Sequence, residues 1–320
     1  MFTWRKLGKV FTPQNVPDRP WMAEFAQAPA TLVLDDVVRV YFSCRPPRDE
    51  HGQYVSYAAW VDLDRRDLRR IVRVAERPIL GLGSVGTFDE FGTYPVSVIQ
   101  DDDCVVAYYG GWTRCESVPF DVAIGCARSQ DGGTSFTRLG DGPVLGPSLD
   151  EPFVLSGPKI RRFDGLWYLF YIAGRKWKSV GGRPEPVYKI RLATSPDGVT
   201  WTKLNQDLVE SRIEADEAQA SPDVFSAGGR YHMFFCYRRS ADFRGKANGY
   251  RIGYASSPDL RSWTRDDSSV GIDISDEGWD SEMISYPHVF NLDGATYMAY
   301  LGNEVGRYGF GLAILDGSLG

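Results

Sequence analysis

The chain has 320 residues, of which 43% are hydrophobic and 24% charged, an ordinary globular composition with ample material for a core. Its formal net charge of −6 argues against a nucleic-acid binder dominated by phosphate contacts. No apolar run reaches the roughly 20 residues of a membrane span, and Met1–Lys6 lacks the apolar stretch of a signal peptide, so the expected location is cytoplasmic.

In chain order, "FTWRKLGKVF" from Phe2 reads as one strand, and five similar hairpins follow. They are "FAQAPATLVLDDVVRVYFSCR" from Phe25, "FGTYPVSVIQDDDCVVAYYGGW" from Phe91, "VLSGPKIRRFDGLWYLFYIAGR" from Val154, "QASPDVFSAGGRYHMFFCYRRS" from Gln219 and "ISYPHVFNLDGATYMAYLGNE" from Ile284. Pro29, Pro95, Pro158, Pro222 and Pro287 occupy equivalent positions, so successive units are 66, 63, 64 and 65 residues apart by subtraction. Each middle hairpin is followed by a second one: "ARSQDGGTSFTRL" from Ala127, "ATSPDGVTWTKL" from Ala193 and "ASSPDLRSWTRD" from Ala255. Period-2 alternation with Asp-Gly or Gly-Gly turns makes each unit four short antiparallel strands, A to D.

Four-stranded units repeated radially predict an all-β, five-bladed β-propeller as a single domain over residues 1–320. The last unit stops after a third strand, "YGFGLAIL", and the Phe2 segment resembles the fourth strand "VTWTKLNQDLV" of an earlier unit. The N-terminal strand is therefore expected to close the last blade and cover its edge.

The A–B and C–D turns are short, whereas the B–C and D–A connections are long, so both long classes surround one mouth of the central channel. Extended phase along strand A places Tyr94, Lys159, Asp223, Tyr286 and His288, which flank the prolines, on one side. If that phase holds upstream, Glu24, Glu90, Glu217 and Glu282 point the same way. Arg45, Arg175 and Arg238 lie at the ends of strands B, and Trp112 adds a flat apolar face. Carboxylates that bond hydroxyls, aromatic faces that stack on rings and arginines that grip an anion suit a charged or phosphorylated sugar. Asp223, Glu282 and Glu217 are the expected catalytic carboxylates. Glu24, Glu90, Arg45, Tyr94, Lys159, Arg175, Arg238, Tyr286, His288 and Trp112 are the expected substrate contacts.

Other chemistries lack support. "GLGSVG" at Gly81 leads into "TFDEFGTYP" rather than a helix, so it is not a dinucleotide fingerprint. His51, His232 and His288 form no zinc-ligand spacing, and the five cysteines include no CxxC pair. No metal or cofactor is expected, and the oligomeric state is left open.

The five-blade period, the Pro-led inner strands and "SPDGVTW" together resemble the five-bladed propeller superfamily that includes glycoside hydrolase families 32, 43, 62, 68 and 130. "YRIGYASSPDLRSW" through "DEGWDSEMISYPHVF" to "GFGLAIL" resembles a less characterised branch associated with bacterial glycan biosynthesis. The resemblance implies cleavage or transfer of a glycosyl bond. Family 43 carries Asp before the proline of an early inner strand, a later Asp-Pro and a Glu-Gly-Pro acid; here Ala28-Pro29, Tyr94-Pro95 and Ser156-Gly157-Pro158 stand instead. Its catalytic carboxylates therefore do not carry over by position. Hydrolysis, transfer to phosphate or an acceptor glycan, and non-catalytic sugar binding all stay open.

Overall fold

A computed structural model describes residues 1–319. Strand β1 (Trp4–Phe11) is followed by nineteen more strands, and the twenty form five four-stranded sheets. Blade 1 holds β2 (Glu24–Val33), β3 (Val37–Arg45), β4 (Tyr57–Asp64) and β5 (Ile71–Val74). Blade 2 holds β6 (Thr93–Asp101), β7 (Cys104–Thr113), β8 (Asp121–Ser129) and β9 (Thr137–Arg138). Blade 3 holds β10 (Leu155–Phe163), β11 (Leu166–Val180), β12 (Arg183–Ser195) and β13 (Thr202–Lys203). Blade 4 holds β14 (Ala218–Ala227), β15 (Arg230–Arg238), β16 (Arg251–Ser257) and β17 (Thr264–Arg265). Blade 5 holds β18 (Ser285–Leu292), β19 (Ala295–Leu301) and β20 (Phe310–Leu315), and β1 pairs antiparallel with β20 as its outer strand. No helix among the described residues is long and apolar enough to cross a membrane.

Proline explains a feature common to all five inner strands. It has no N–H to give to a ladder, so within a sheet it is tolerated where pairing is interrupted. Each inner strand shifts register across its proline: Gln27/Ala30, Thr93/Val96, Ser156/Lys159, Ala220/Asp223 and Ser285/His288. In four of them the residue before proline is left-handed, with φ of +54° at Ala28, +60° at Gly157, +50° at Ser221 and +52° at Tyr286. A bulge of this kind re-aims a side chain. It also ends the simple alternation, so residues upstream of the proline no longer share the phase of those after it.

Blades are joined by side chains as well as by apolar packing. Tyr41 of β3 donates to the Gly133 carbonyl in the C–D turn of blade 2 at 2.7 Å, and Tyr108 of β7 donates to Gly198 of blade 3 at 2.6 Å. Both turns need glycine: Gly133 has φ +81° and a Cβ there would fall 2.1 Å from the Tyr41 hydroxyl.

A buried acid recurs where the chain enters blades 2 to 5. Asp89 pairs with Arg138 at 2.7 Å, Glu151 with Lys203 at 2.8 Å, Glu217 with Arg265 at 2.6 Å, and Asp280 with Lys6 at 2.7 Å. Each base comes from the outermost strand of its own blade, so the pair clasps the entering loop to the sheet edge. Buried charges are tolerated only when paired in this way.

Candidate functional site

A cavity of about 930 Å³ opens where the long connections converge. Its walls come from the B–C loops of blades 1, 2 and 4, carrying Tyr54, Arg114 and Arg244, from the extended β11–β12 hairpin of blade 3, carrying Glu185, and from the Glu304–Arg307 segment of blade 5. That last segment is a tight turn in which Glu304 and Val305 are left-handed at φ +53° and +54°. The bulges place Tyr94, Gly157, Ser221 and Tyr286 on the lining.

The floor is built from tyrosines and arginines of all five blades. Arg45 ends β3, Tyr94 lies in β6, Tyr188 in β12, Arg238 at the end of β15, Tyr250 just before β16 and Tyr286 in β18. The Tyr94 and Tyr286 hydroxyls are 2.7 Å apart, and those of Tyr188 and Tyr250 are 2.5 Å apart. Arg238 donates from Nε to Tyr250 at 3.1 Å, from Nη2 to Tyr188 at 3.2 Å, and to the Arg239 and Pro186 carbonyls. Its guanidinium also lies 3.5 Å from the centre of the Phe243 ring.

Charge is the cavity's most telling property. Six arginines line it (Arg45, Arg114, Arg183, Arg238, Arg244, Arg307) against two carboxylates, Glu185 and Glu304, in a protein whose net charge is −6. Glu185 is already held by Arg244 at 2.8 Å, and Arg307 by Glu24 at 2.9 Å. Arg45 and Arg238 pair with no carboxylate among the described residues. Arg238 is only 2% exposed. Burial works against its charge, but the phenol oxygens of Tyr188 and Tyr250 outweigh that and hold its pKa above the usual value. Burial lowers the pKa of Arg45, which stands over the rings of Phe25, Tyr54 and Tyr94. Two buried polar atoms on the lining residues also lack partners: Gln27 Oε1 and Ser221 Oγ.

The residues singled out from the sequence divide into three groups. Arg45, Tyr94, Trp112, Arg238 and Tyr286 line the cavity, with Trp112 Nε1 fixed on Ser56 at 2.7 Å. Glu24 braces the rim, accepting from Tyr54 at 2.6 Å and from Arg307.

A second group lies deeper in the channel, outside the cavity lining. Asp223 is fully buried, with Arg161 at 2.5 Å, His288 Nδ1 at 3.3 Å and Lys159 Nζ at 3.9 Å. Burial would raise the Asp223 carboxyl, but Arg161, His288 and Lys159 hold it well below the usual range. Burial pushes Lys159 down to about 8 and His288 down to about 4, in both cases against the pull of Asp223.

The third group is off the lining for stated reasons. Glu217 is consumed by Arg265, Gln219 Nε2 at 2.8 Å and the Arg212 and Ile213 N–H groups. Glu90 accepts from the Gly86 N–H at 3.0 Å, and Glu282 is exposed. The extended phase expected to align these glutamates is broken by the bulge at each proline. Arg175 is exposed because β11 continues to Val180, and the register shift between Gly174 and Lys176 puts Arg175 at a bulge rather than at a strand end. Tyr188, Tyr250, Gln27 and Ser221 were missed. Ser221 could have been found, since it occupies the pre-proline position shared with Tyr94 and Tyr286. Among the described residues no group of three or more His, Cys, Asp or Glu side chains is placed to hold a metal ion.

Comparison with known proteins gives this geometry its context. No protein-family model matches the chain. An uncharacterized protein of Mycobacterium tuberculosis strain H37Rv, Rv1502, is 34% identical over 314 residues, covering 98% of this chain and 99% of its own. A 1,2-β-oligomannan phosphorylase of Thermoanaerobacter sp. strain X514 is 23% identical over 255 residues, 77% of each chain. Among solved structures, a glycoside hydrolase superposes with TM-score 0.76 at 16% identity, covering 100% of this chain and 93% of that one. The β-1,2-mannobiose phosphorylase of Listeria innocua, in complex with β-1,2-mannobiose, superposes with TM-score 0.69 at 12% identity, covering 98% and 96%. A closed five-bladed ring with Pro-led inner strands gives the chain the fold of the glycoside hydrolases and phosphorylases it superposes on, and its full-length similarity to the mycobacterial protein leads to one conclusion: the chain belongs to one family with that protein.

Proposed function

We propose that the protein makes or breaks a glycosyl bond in an anionic or phosphorylated sugar, with transfer to or from a phosphoryl group as its chemistry. The observation that carries this reading is the pair Arg45 and Arg238, two guanidinium groups on the cavity floor without a carboxylate partner. Four oxygen acceptors already hold the charge of Arg238, whereas burial works against the charge of Arg45, so the floor gains from an anionic ligand chiefly at Arg45. In a phosphorolytic transfer a phosphate oxygen attacks the anomeric carbon, the glycosidic C–O bond breaks, and the departing oxygen takes up a proton. One carboxylic acid suffices for that, and Glu185 and Glu304 are the carboxylates that line the cavity. Two relatives named as phosphorylases, one by sequence and one by fold, support the same direction.

A second reading, a sugar-binding propeller without catalysis, draws on the arginine pairing of both lining carboxylates, Glu185 to Arg244 and Glu304 to Arg307 at 3.3 Å. The five cysteines, all free, support a reducing compartment and hence the cytoplasm. Calorimetry with a hexose 1-phosphate and with the free hexose tests the anionic reading. The phosphate ester should bind at least tenfold tighter, about 1.4 kcal/mol, and lose that advantage as salt is raised. Equal affinity for both would overturn it. Release of a glycosyl phosphate from oligosaccharide and inorganic phosphate separates the enzyme from the binder.

A further inference from the structure

The cavity floor offers hydroxyl protons that the protein does not use. Arg238 places an N–H on the oxygen of Tyr250 and another on that of Tyr188, while those oxygens contact each other. Each phenol has one proton. Whichever tyrosine donates in the shared contact, the proton of the other has no acceptor among the described residues, and both rings line the cavity. The same count holds for Tyr94 and Tyr286. One proton bridges the two oxygens, the other is left over, and the Arg45 guanidinium stands 5.8 Å from the centre of the Tyr94 ring. Burial pushes Tyr94 up to about 12 and Tyr250 and Tyr286 well above their usual value, so these hydroxyls remain donors across the physiological range.

Each phenol pair thus keeps one O–H left over and has a guanidinium against it, Arg238 bonded to both oxygens of one pair and Arg45 over the Tyr94 ring of the other, and a donor beside a cation is a receptor for an oxyanion. The floor has two of them side by side: the Tyr250 and Tyr286 rings are 6.2 Å apart, centre to centre. One monoanionic group can satisfy only one receptor and would leave the free O–H of the other pair unused. Gln27 Oε1 and Ser221 Oγ, buried and unpartnered on the same lining, are free to bond sugar hydroxyls.

We propose that the floor is built for two adjacent phosphoryl groups, so that the ligand is a glycosyl diphosphate, with one phosphoryl at Arg45, Tyr94 and Tyr286 and the other at Arg238, Tyr188 and Tyr250. This rests on the anionic-sugar reading above and narrows it. The same diphosphate occurs on a nucleoside and on a prenyl chain, and the floor recognises what they share.

The test is calorimetry on the full chain with inorganic phosphate and inorganic pyrophosphate at one ionic strength. Pyrophosphate is expected to bind at least about tenfold tighter, the equivalent of one further charge-assisted hydrogen bond. The double variants Tyr188→Phe/Tyr250→Phe and Tyr94→Phe/Tyr286→Phe keep rings and volume and remove every hydroxyl of one pair, since a single substitution would only release the proton of the remaining tyrosine, and each is expected to return pyrophosphate to within about threefold of phosphate. A gain due only to the greater charge of pyrophosphate would survive loss of either pair of hydroxyls, and that result overturns the proposal, as does equal affinity for the two anions. In both cases phosphate binding still upholds the anionic-sugar reading; binding of neither anion overturns both. If one variant fails to fold, the other carries the same test. Uridine diphosphate and geranyl diphosphate then distinguish the two sources, the tighter binder naming the carrier. Rejection of both by a protein that binds pyrophosphate would overturn the glycosyl diphosphate.

Discussion

The backbone N–H of Thr31 donates to Nε2 of His288 at 2.9 Å, tying the inner strand of blade 1 to that of its neighbour, blade 5. An imidazole nitrogen that accepts carries no proton, so the proton sits on Nδ1, facing Asp223. The histidine is neutral in the folded ring, and protonating it would break the bond to Thr31.

Stability should therefore fall with acid in a particular window. His288 titrates near 4 when folded and near 6.5 when unfolded, so the unfolded chain binds the extra proton first. Its contribution is fully present above about pH 6.5 and is lost as the pH drops toward 4, by about 1.4 kcal/mol per pH unit at most. Urea unfolding from pH 7 to 5 should show this slope in the wild type and a flatter one in His288→Asn. Identical slopes would contradict the neutral assignment.

Arginine substitutions should separate floor from surface. Arg45→Ala and Arg238→Ala are expected to weaken a hexose 1-phosphate roughly tenfold to a hundredfold, the value of a desolvated charged hydrogen bond, while the neutral hexose changes far less. Arg175→Ala, outside the cavity, should leave both affinities unchanged. Calorimetry on the three variants checks it.

Two glutamates of similar burial should behave in opposite ways. Glu217→Gln removes the anion from a fully buried pair and should cost about 3 kcal/mol in unfolding free energy. Glu185→Gln on the cavity wall should fold like the wild type and lose about 10² in turnover if Glu185 supplies the proton. Thermal melts and initial rates on the same preparations distinguish the outcomes.

Gly133→Ala should destabilise by about 1–3 kcal/mol, because the new methyl both occupies a left-handed position and meets the hydroxyl of Tyr41. Tyr41→Phe in the same background should recover part of the loss, which a double-mutant cycle measures.

Removing residues 1–11 should leave β20 with a bare edge and take the buried Trp4 and Phe11 out of the fold. Several kcal/mol are expected from those two side chains alone, read as a lower melting temperature.

Signals that are local in the chain proved legible, and those that depend on what lies opposite did not. The blade period, the turns and the closing strand come from alternation and turn residues, which each segment carries by itself. Arg45 and Arg238 were found because a strand end is a local event. Arg175 looked the same, but its hairpin partner Arg183–Ser195 extends β11 past it. The glutamates before each proline were assigned a phase that the bulges cancel, and Glu217 in particular answers Arg265 in "TRD". That base recurs as Arg138 in "TRL" and Lys203 in "TKL", a repeat that points to an architectural pairing. Tyr188, within β12, and Tyr250, just before β16, follow B–C connections of unequal length, so no repeat marks them.

Pairing β1 with β20 joins Trp4 to Leu315, 311 positions apart by subtraction. At a synthesis rate of about 5–20 residues per second, the first strand waits roughly 15–60 s for its partner. During that interval an apolar segment with Trp4 and Phe11 stands unpaired, and the floor of the cavity, which needs a side chain from every blade, does not yet exist. Ligand binding at this cavity would thus be a late event in biogenesis, open only after β1 and β20 have paired, and a tightly held ligand would act as a latch on the finished ring.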